Sequence, residues 1–327
     1  MKIEFCIDKL DSFLQSIANQ LGLDIDNNSF QIPSDQGKGY FTQIQFSKDI
    51  LITYYELLLK EESTIIRKKS DNDNIIPIIF WLSNSGIMQE LDSANKEIGK
   101  DTPNGIFLPA NSFETKYTFP KDVMVRNITV FIHKQWLQEN IKKQNDYINN
   151  VILSSTSFFL FEEISYSINE ILMQIVHTLK NNMDHTLAKI NLYSNTLHLI
   201  NLLFEKILIR SKDRQMVNIN PQDIHLLFKV KSILLREYIS IPSTDYLAKE
   251  CGINKRKLQR LFKQVFGKSI YQFAVSVKMS EAKKMLSTKN YTVSEVGFIV
   301  GYSNLSHFTD KFKNHYAITP KLFLMSL

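Results

Sequence analysis

The feature that most limits what this chain can fold into is a repeat near its C-terminal end. CGINKRKLQRLFKQVFGKS at 251–269 and VGYSNLSHFTDKFKNHYAIT at 300–319 present the same residue types in the same order. At an offset of fifty, Leu258 meets Phe308, Phe262 meets Phe312, Phe266 meets Tyr316 and Phe273 meets Phe323. Lys263 likewise meets Lys313, and Ser269 meets Thr319. Gly252 and Gly301 are offset by forty-nine, so the second copy has a turn one residue longer.

Each copy has helical grammar. Asn254 is a good N-cap, and Leu258, Leu261, Phe262, Val265 and Phe266 fall at i, i+3, i+4, i+7 and i+8. The opposite face carries Lys255, Arg256, Gln259, Arg260 and Lys263. Upstream, DYLAKECG reads as a short helix ended by Gly252. A short helix, a turn at glycine and a helix with a polar outer face form a helix-turn-helix pattern. The stretch between the copies, SIYQFAVSVKMSEAKKMLSTKN, is helical in period. Some eighteen helical residues span roughly 27 Å, and successive major grooves on one face of DNA lie about 34 Å apart. Two reading helices at the ends of such a connector can enter adjacent grooves.

Charge supports a polyanionic partner for this half. From Pro221 to the end there are 17 Lys+Arg and 7 Asp+Glu, a net of +10, whereas residues 1–220 hold 22 basic and 26 acidic residues, a net of −4. Such asymmetry points to a nucleic acid.

LAKECGINKRKLQRLFKQVFGKS followed by EVGFIVGYSNLSHFTDKFKNHYAITP resembles the DNA-binding domain of the AraC/XylS (arabinose-regulator) family of bacterial transcription factors. The likeness spans 221–327, and its second half is close to the family's signature. The resemblance implies seven helices holding two helix-turn-helix units joined by a long helix. It also implies an N-terminal regulatory domain, a cupin-like β-barrel that binds a small molecule and is followed by dimerising helices. Double-stranded DNA, RNA polymerase, a second copy of the chain and a small-molecule effector are the partners that follow, with activation a commoner outcome than repression.

The family's base-reading positions fall on Arg256, Gln259 and Arg260 in the first unit and on Leu305, Ser306, Thr309 and Asp310 in the second. Arg can donate twice to guanine and Gln can pair with adenine, while Leu305 suits a thymine methyl. Lys255, Lys257, Lys263, His307 and Lys313 are expected at phosphates, which set affinity rather than sequence. Asp310 departs from a family position that is often basic. It is repelled by phosphate unless it accepts from cytosine or pairs with a neighbour such as Lys313, so the second unit is expected to bind more weakly. Leu258, Phe262, Phe308 and Phe312 are expected as core anchors.

The rest of the chain reads as an α+β plan: a β-rich barrel or sandwich over 1–145, a helical and dimerising region over 146–215, and the all-α domain from 221. DKLDSFLQSIANQLG opens with Asp8 as a candidate N-cap and is stopped by Gly22. Between Phe30 and Ile132, GYFTQIQF, DILITYYEL, IIPIIFWL, GIFLP, FETKYTF and VMVRNITVFI alternate with polar turn clusters and predict strands. FEEISYSINEILMQIVHTLK and TLAKINLYSNTLHLINLLFEKILI predict two helices, with stripes Phe161–Ile164–Ile168–Ile171–Ile175–Leu179 and Leu187–Ile190–Tyr193–Leu197–Ile200–Phe204–Ile207. These stripes pack on their own domain or serve a second subunit.

Catalytic chemistry finds no foothold. FGKS at 266–269 lacks the glycine that a phosphate-binding loop needs, since Phe262 stands there. There is no HExxH and no GxSxG, and Cys6 and Cys251 form neither a disulfide framework nor a zinc cluster. A non-enzymatic protein without metal or cofactor is expected. The longest apolar run, Ile75–Leu82, is too short for a membrane span, and the N-terminus lacks a secretory signal, so a cytoplasmic protein is expected. Two other readings stay open: an N-terminal half that docks a protein rather than a metabolite, and an architectural DNA binder of little sequence preference. The effector site has no residue signature.

Overall fold

In the computed structural model, residues 2–326 are described, apart from 11, 71–72, 84–86, 92–93, 101–104, 142–147, 154–157, 182, 184 and 212–220. They fall into two compact units, Met1–Pro221 and Gln222–Leu327. The polar segment expected to join them, 211–223, lies mostly outside the described residues.

The first unit contains two sheets. The smaller has five strands in the order β1 (Lys2–Phe5), β5 (Ser63–Arg67), β10 (Thr115–Phe119), β7 (Ile87–Leu91) and β8 (Ala94–Ile98). The larger has seven, ordered β12 (Phe159–Glu162), β9 (Ile106–Pro109), β6 (Ile75–Trp81), β11 (Met124–His133), β4 (Ile50–Leu59), β3 (Gly37–Gln45) and β2 (Ser29–Gln31). Among the described residues only the β1–β5 pairing is parallel. The arrangement is a sandwich, and the larger sheet is covered twice.

That double burial explains the sequence of the central strands. On β4, β6 and β11 one set of alternate residues, including Ile52, Ile78 and Val130, packs in a core with two helices, α3 (Tyr166–Asn181) and α4 (Ala188–Ser211). The other set, including Thr53, Ile79 and Thr129, lines the space between the sheets. A strand buried on both faces is apolar at every position, and β6, IIPIIFW, is buried throughout.

The stripes Ile168–Ile171–Ile175–Leu179 and Ile200–Phe204–Ile207 join this same core. One expectation in this region fails. Phe161 belongs to strand β12, where it pairs with Phe107 of β9 and stacks on its ring at 4.5 Å; its helical spacing from Ile164 and Ile168 is coincidental. Leu187 and Ile190 are 49% and 65% exposed, because α4 turns Ala188 and Leu192 inward instead. The N-terminal helix α1, Phe13–Leu21, also starts later than Asp8. The Asp8 carboxylate accepts from the hydroxyl of Ser70 and the thiol of Cys6, which removes it from any capping role. Gly22 ends α1 with φ +65° as expected.

Glu56 ties helix to sheet. Its carboxylate accepts from Arg126 Nε at 2.7 Å, from Tyr54 Oη at 2.9 Å and from the Lys180 ammonium of α3. Burial alone would raise this carboxyl, but the Lys180, Arg126 and Tyr54 hydrogen bonds outweigh it and hold the group below its ordinary 4.5. With a depressed folded value, the stabilisation is complete above the unfolded value and is lost as pH falls through the folded one.

The second unit repeats itself in space. Helices α5 (Pro221–Arg236), α6 (Thr244–Glu250) and α7 (Lys255–Phe266) form one bundle. Helices α8 (Ile270–Ser287), α9 (Val293–Ile299), α10 (Leu305–Tyr316) and α11 (Pro320–Met325) continue it. The core of α8 matches that of α5 at an offset of fifty-two, as Leu227, Val230 and Leu234 recur in Met279, Ala282 and Leu286, all buried. Lys231 of α5 lies 5.0 Å from the Phe266 ring and 5.7 Å from that of Phe273. Lys283 of α8 sits 5.1 Å and 6.0 Å from the matching Tyr316 and Phe323. Helix α8 thus closes the first core with Ile270 and Phe273 and opens the second with Met279, Ala282 and Leu286.

Glu56→Gln is expected to lower the stability of the first unit by about 1–3 kcal/mol at neutral pH. Urea denaturation followed by tryptophan fluorescence checks this, because Trp81 and Trp136 both lie in that unit. The gap between wild type and variant should close as pH is taken below 4.5; a constant gap would assign the loss to packing.

Candidate nucleic-acid interface

Both helix-turn-helix units are built with the same local devices. Ser243 caps α6 by accepting from Tyr246 N, and Thr292 caps α9 in a capping box with Glu295. Asn254 Oδ1 accepts from the backbone N–H of Arg256 at 2.9 Å and of Lys257 at 3.3 Å. Asn304 Oδ1 does the same for Ser306 at 2.9 Å and His307 at 3.1 Å. These caps set where α7 and α10 begin, and so which residues lead each helix. Ser269 and Thr319 cap the helices that follow.

The anchors Leu258, Phe262, Phe308 and Phe312 are fully buried. Phe262 packs edge-on to Phe273 at 5.4 Å, and Phe312 contacts Phe323 at 5.9 Å, so the pairs matched in sequence are matched in contact. With these positions inward, the polar face of α7 turns out.

Arg256, Gln259 and Arg260 lie together on the exposed face of α7. Their side chains make no hydrogen bond or ion pair among the described residues. The lysines beside them differ. Lys255 Nζ holds Asp245 at 2.6 Å, and Lys257 Nζ holds Asp223, a buried carboxylate of α5, at 2.7 Å. Lys257 therefore anchors α7 to α5 instead of standing with the arginines. Lys263 is half-buried.

On α10, Ser306, His307, Asp310 and Lys313 are exposed, whereas Leu305 and Thr309 are half-buried. Asp310 makes no ion pair with Lys313. The His307 ring stands edge-on to Tyr302 at 5.4 Å. Leu305 packs against α9, where Gly297 leaves it room: a Cβ there would lie 2.8 Å from Leu305 Cδ2 and 3.1 Å from Phe308. Its counterpart in the first unit is the small Ala248. The second reading helix is thus less charged than the first, and its leading residue is partly used for packing.

A contact that sequence reasoning missed joins the two units. Lys278 of α8, buried, donates from Nζ to Ile239 O at 3.0 Å and lies 5.1 Å from the Tyr302 ring. Burial lowers its pKa. Ile239 lies between α5 and α6, while Tyr302 follows the second turn glycine. Gly301 has φ +85°, and a Cβ there would lie 2.5 Å from Ile239 O. Gly252 has φ +61° and open space around it. The repeat showed both glycines but not that one of them is a packing surface.

A family profile described as a helix-turn-helix domain matches residues 247–325, from the second half of α6 through α11. Over this domain the chain is similar to regulators of the AraC/XylS family. Curated relatives include the HTH-type transcriptional regulator ArgR of Pseudomonas aeruginosa, 27% identical over 90 residues, which covers 27% of each chain. The probable transcription factor PqrA of Proteus vulgaris is 32% identical over 79 residues, 24% of this chain and 65% of that one. Among solved structures is a transcriptional regulator with an AraC-type DNA-binding domain from Chromobacterium violaceum. It is 26% identical with a TM-score of 0.31, over 33% of this chain and 96% of that one. The chain spans less than two thirds of the length of either curated relative. Among the described residues no helix is long and apolar enough to cross a membrane, and no group of three or more His, Cys, Asp or Glu is placed to hold a metal.

Gly252→Ala is expected to cost about 1 kcal/mol, the ordinary expense of a side chain at positive φ. Gly301→Ala is expected to cost about 3 kcal/mol or more, because the Ile239 carbonyl must also move. Thermal unfolding followed by helical circular dichroism checks the ranking; equal losses would remove the Gly301–Ile239 contact from the account.

Proposed function

We propose that this protein is a sequence-specific transcription regulator that reads DNA through α7 and α10 in two major grooves. The observation carrying this reading is the pair of capped helix-turn-helix units on a shared helix, with Arg256, Gln259 and Arg260 exposed and committed to nothing else. Specificity rests mainly on α7, whose side chains can pair with guanine and adenine edges. Helix α10 adds Ser306, Thr309 and Asp310, together with Lys313 at the backbone, and contributes less affinity.

The β-sandwich unit receives a small-molecule signal and passes it to the DNA-binding unit, with activation of RNA polymerase as the output. The working form is a cytoplasmic homodimer. Leu187 and Ile190, exposed just before and at the start of α4, offer a place for the second copy.

The test is to select genomic fragments with the full-length protein and sequence what is retained. Sites with two blocks about one helical turn apart are expected. Salt-dependent retention of fragments with no shared sequence would instead make the protein an architectural binder.

Two substitutions separate the roles. Arg256→Ala or Arg260→Ala should cost roughly 1–3 kcal/mol of binding and relax preference at one base position. Lys313→Ala should weaken binding evenly across sequences and reduce the slope of log affinity against log salt by about one. A slope unchanged by Lys313→Ala takes that residue off the phosphates.

A further inference from the structure

Helix α7 carries five basic residues and no acidic one in its twelve positions, KRKLQRLFKQVF. Each of these charges is attracted to phosphate whatever the base sequence. The structure treats them unequally. Arg256 and Arg260 make no ion pair among the described residues. The two lysines that flank Arg256 each meet a carboxylate from another helix: Lys255 Nζ lies 2.6 Å from Asp245 of α6, and Lys257 Nζ lies 2.7 Å from Asp223 of α5.

Burial separates these two pairs. The Lys255 and Asp245 side chains are 46% and 72% exposed, so water competes at both ends and the pair exchanges freely. The Asp223 side chain is 8% exposed. A carboxylate so far from water depends on its counter-charge, and leaving it alone costs more than one phosphate contact returns. Lys257 is therefore held even with DNA close by, although its own side chain is 42% exposed.

The pair is not part of the duplicated scaffold. At the offset of fifty, Lys257 is met by His307. At the α5–α8 offset of fifty-two, Asp223 is met by Val275, which packs on the second core. The second unit folds with its caps, its glycine and its aromatic anchors and without this tie. The tie stands beside the more basic of the two reading helices.

We propose that Asp223 limits the strength of DNA binding by withholding Lys257 from the phosphate backbone, which leaves the outer face of α7 mainly to Arg256, Gln259 and Arg260. The inference rests on the reading of α7 as a DNA-reading helix and adds a residue outside that helix that tunes it. Asp223 acts through Lys257 and touches no DNA itself. Its effect is on affinity that is independent of sequence, because phosphates carry no base information.

The experiment titrates the full-length protein with a fluorescent duplex of mixed sequence, about two helical turns long, over a range of salt. Asp223→Asn keeps the shape of the buried side chain and frees Lys257. Affinity is expected to rise by roughly 5- to 10-fold at about 0.1 M salt, and the slope of log affinity against log salt to steepen by about 0.9. The double variant Asp223→Asn/Lys257→Met should return both to their wild-type values. A gain that survives in the double variant would come from the lost negative charge alone and overturns the proposal. An unchanged slope in a folded Asp223→Asn protein overturns it as well and leaves the pair as an anchor between α5 and α7. Should the variants not fold, the wild-type complex decides: the Lys257 ammonium is expected to show no NMR coupling to a phosphate phosphorus, and such a coupling overturns the proposal. If the wild-type protein binds no duplex at any salt, the DNA-binding reading falls and takes this one with it. If it binds and only the Asp223 results fail, the regulator reading stands.

Discussion

The second unit depends on one helix being buried on nearly every side. Helix α8 carries Ile270 and Phe273 into the first aromatic core and Met279, Ala282 and Leu286 into the second. Between them, Ser276, Lys278 and Ser280 are buried too. A surface helix has one apolar stripe and one polar face; a helix shared by two cores cannot. Its polar residues must then find partners inside, as Ser276 does with Phe273 O and Lys278 with Ile239 O. The packing of α8 places the two helices, and ties such as Lys257–Asp223 and Leu305 against α9 add to it.

The first unit rests on the same physics applied to a sheet. Strands β4, β6 and β11 meet helices on one face and a second sheet on the other. Along the middle of these strands the side chains have no solvent face to give away. Polar groups there survive by pairing, as Thr129 Oγ1 does with Asn127 Oδ1 at 2.7 Å and Asn127 Nδ2 with Phe80 O at 3.1 Å. Arg67 stands out in that setting, because Nη1 and Nη2 pair with Asn111 and Thr115 while Nε makes no hydrogen bond.

Much of the DNA-binding unit was legible in its sequence, since Asn254, Asn304, Gly252, Gly301 and the aromatic positions repeat and each has a local job. Caps and turn glycines act over three or four residues, a range a sequence displays directly. What escaped was non-local. Lys257 looks like any basic residue of α7 until Asp223 appears beside it, thirty-four positions earlier. Lys278 sits in a helix whose period is blurred by double burial. In the first unit, IIPIIFWL and VMVRNITVFI declared strands, but Phe161 read as the start of a helix because the pairing partner of β12, β9, is fifty residues away. The alternation Ser63, Ile65, Arg67 did contain the inward placement of the arginine; a basic residue at the end of a short apolar run is simply not expected to point that way.

The contact of Lys278 and Gly301 with Ile239 bears on how such a domain changes over evolution. Among the described residues the side chains of Arg256, Gln259 and Arg260 make no hydrogen bond or ion pair, so exchanging them carries little structural expense. The distance and phase between the two reading helices have no such freedom. They are held by a buried ammonium, a carbonyl and a glycine with no room for a methyl group. A chain built this way can change quickly on the outer face of α7 while the spacing between its two helix-turn-helix units stays inherited.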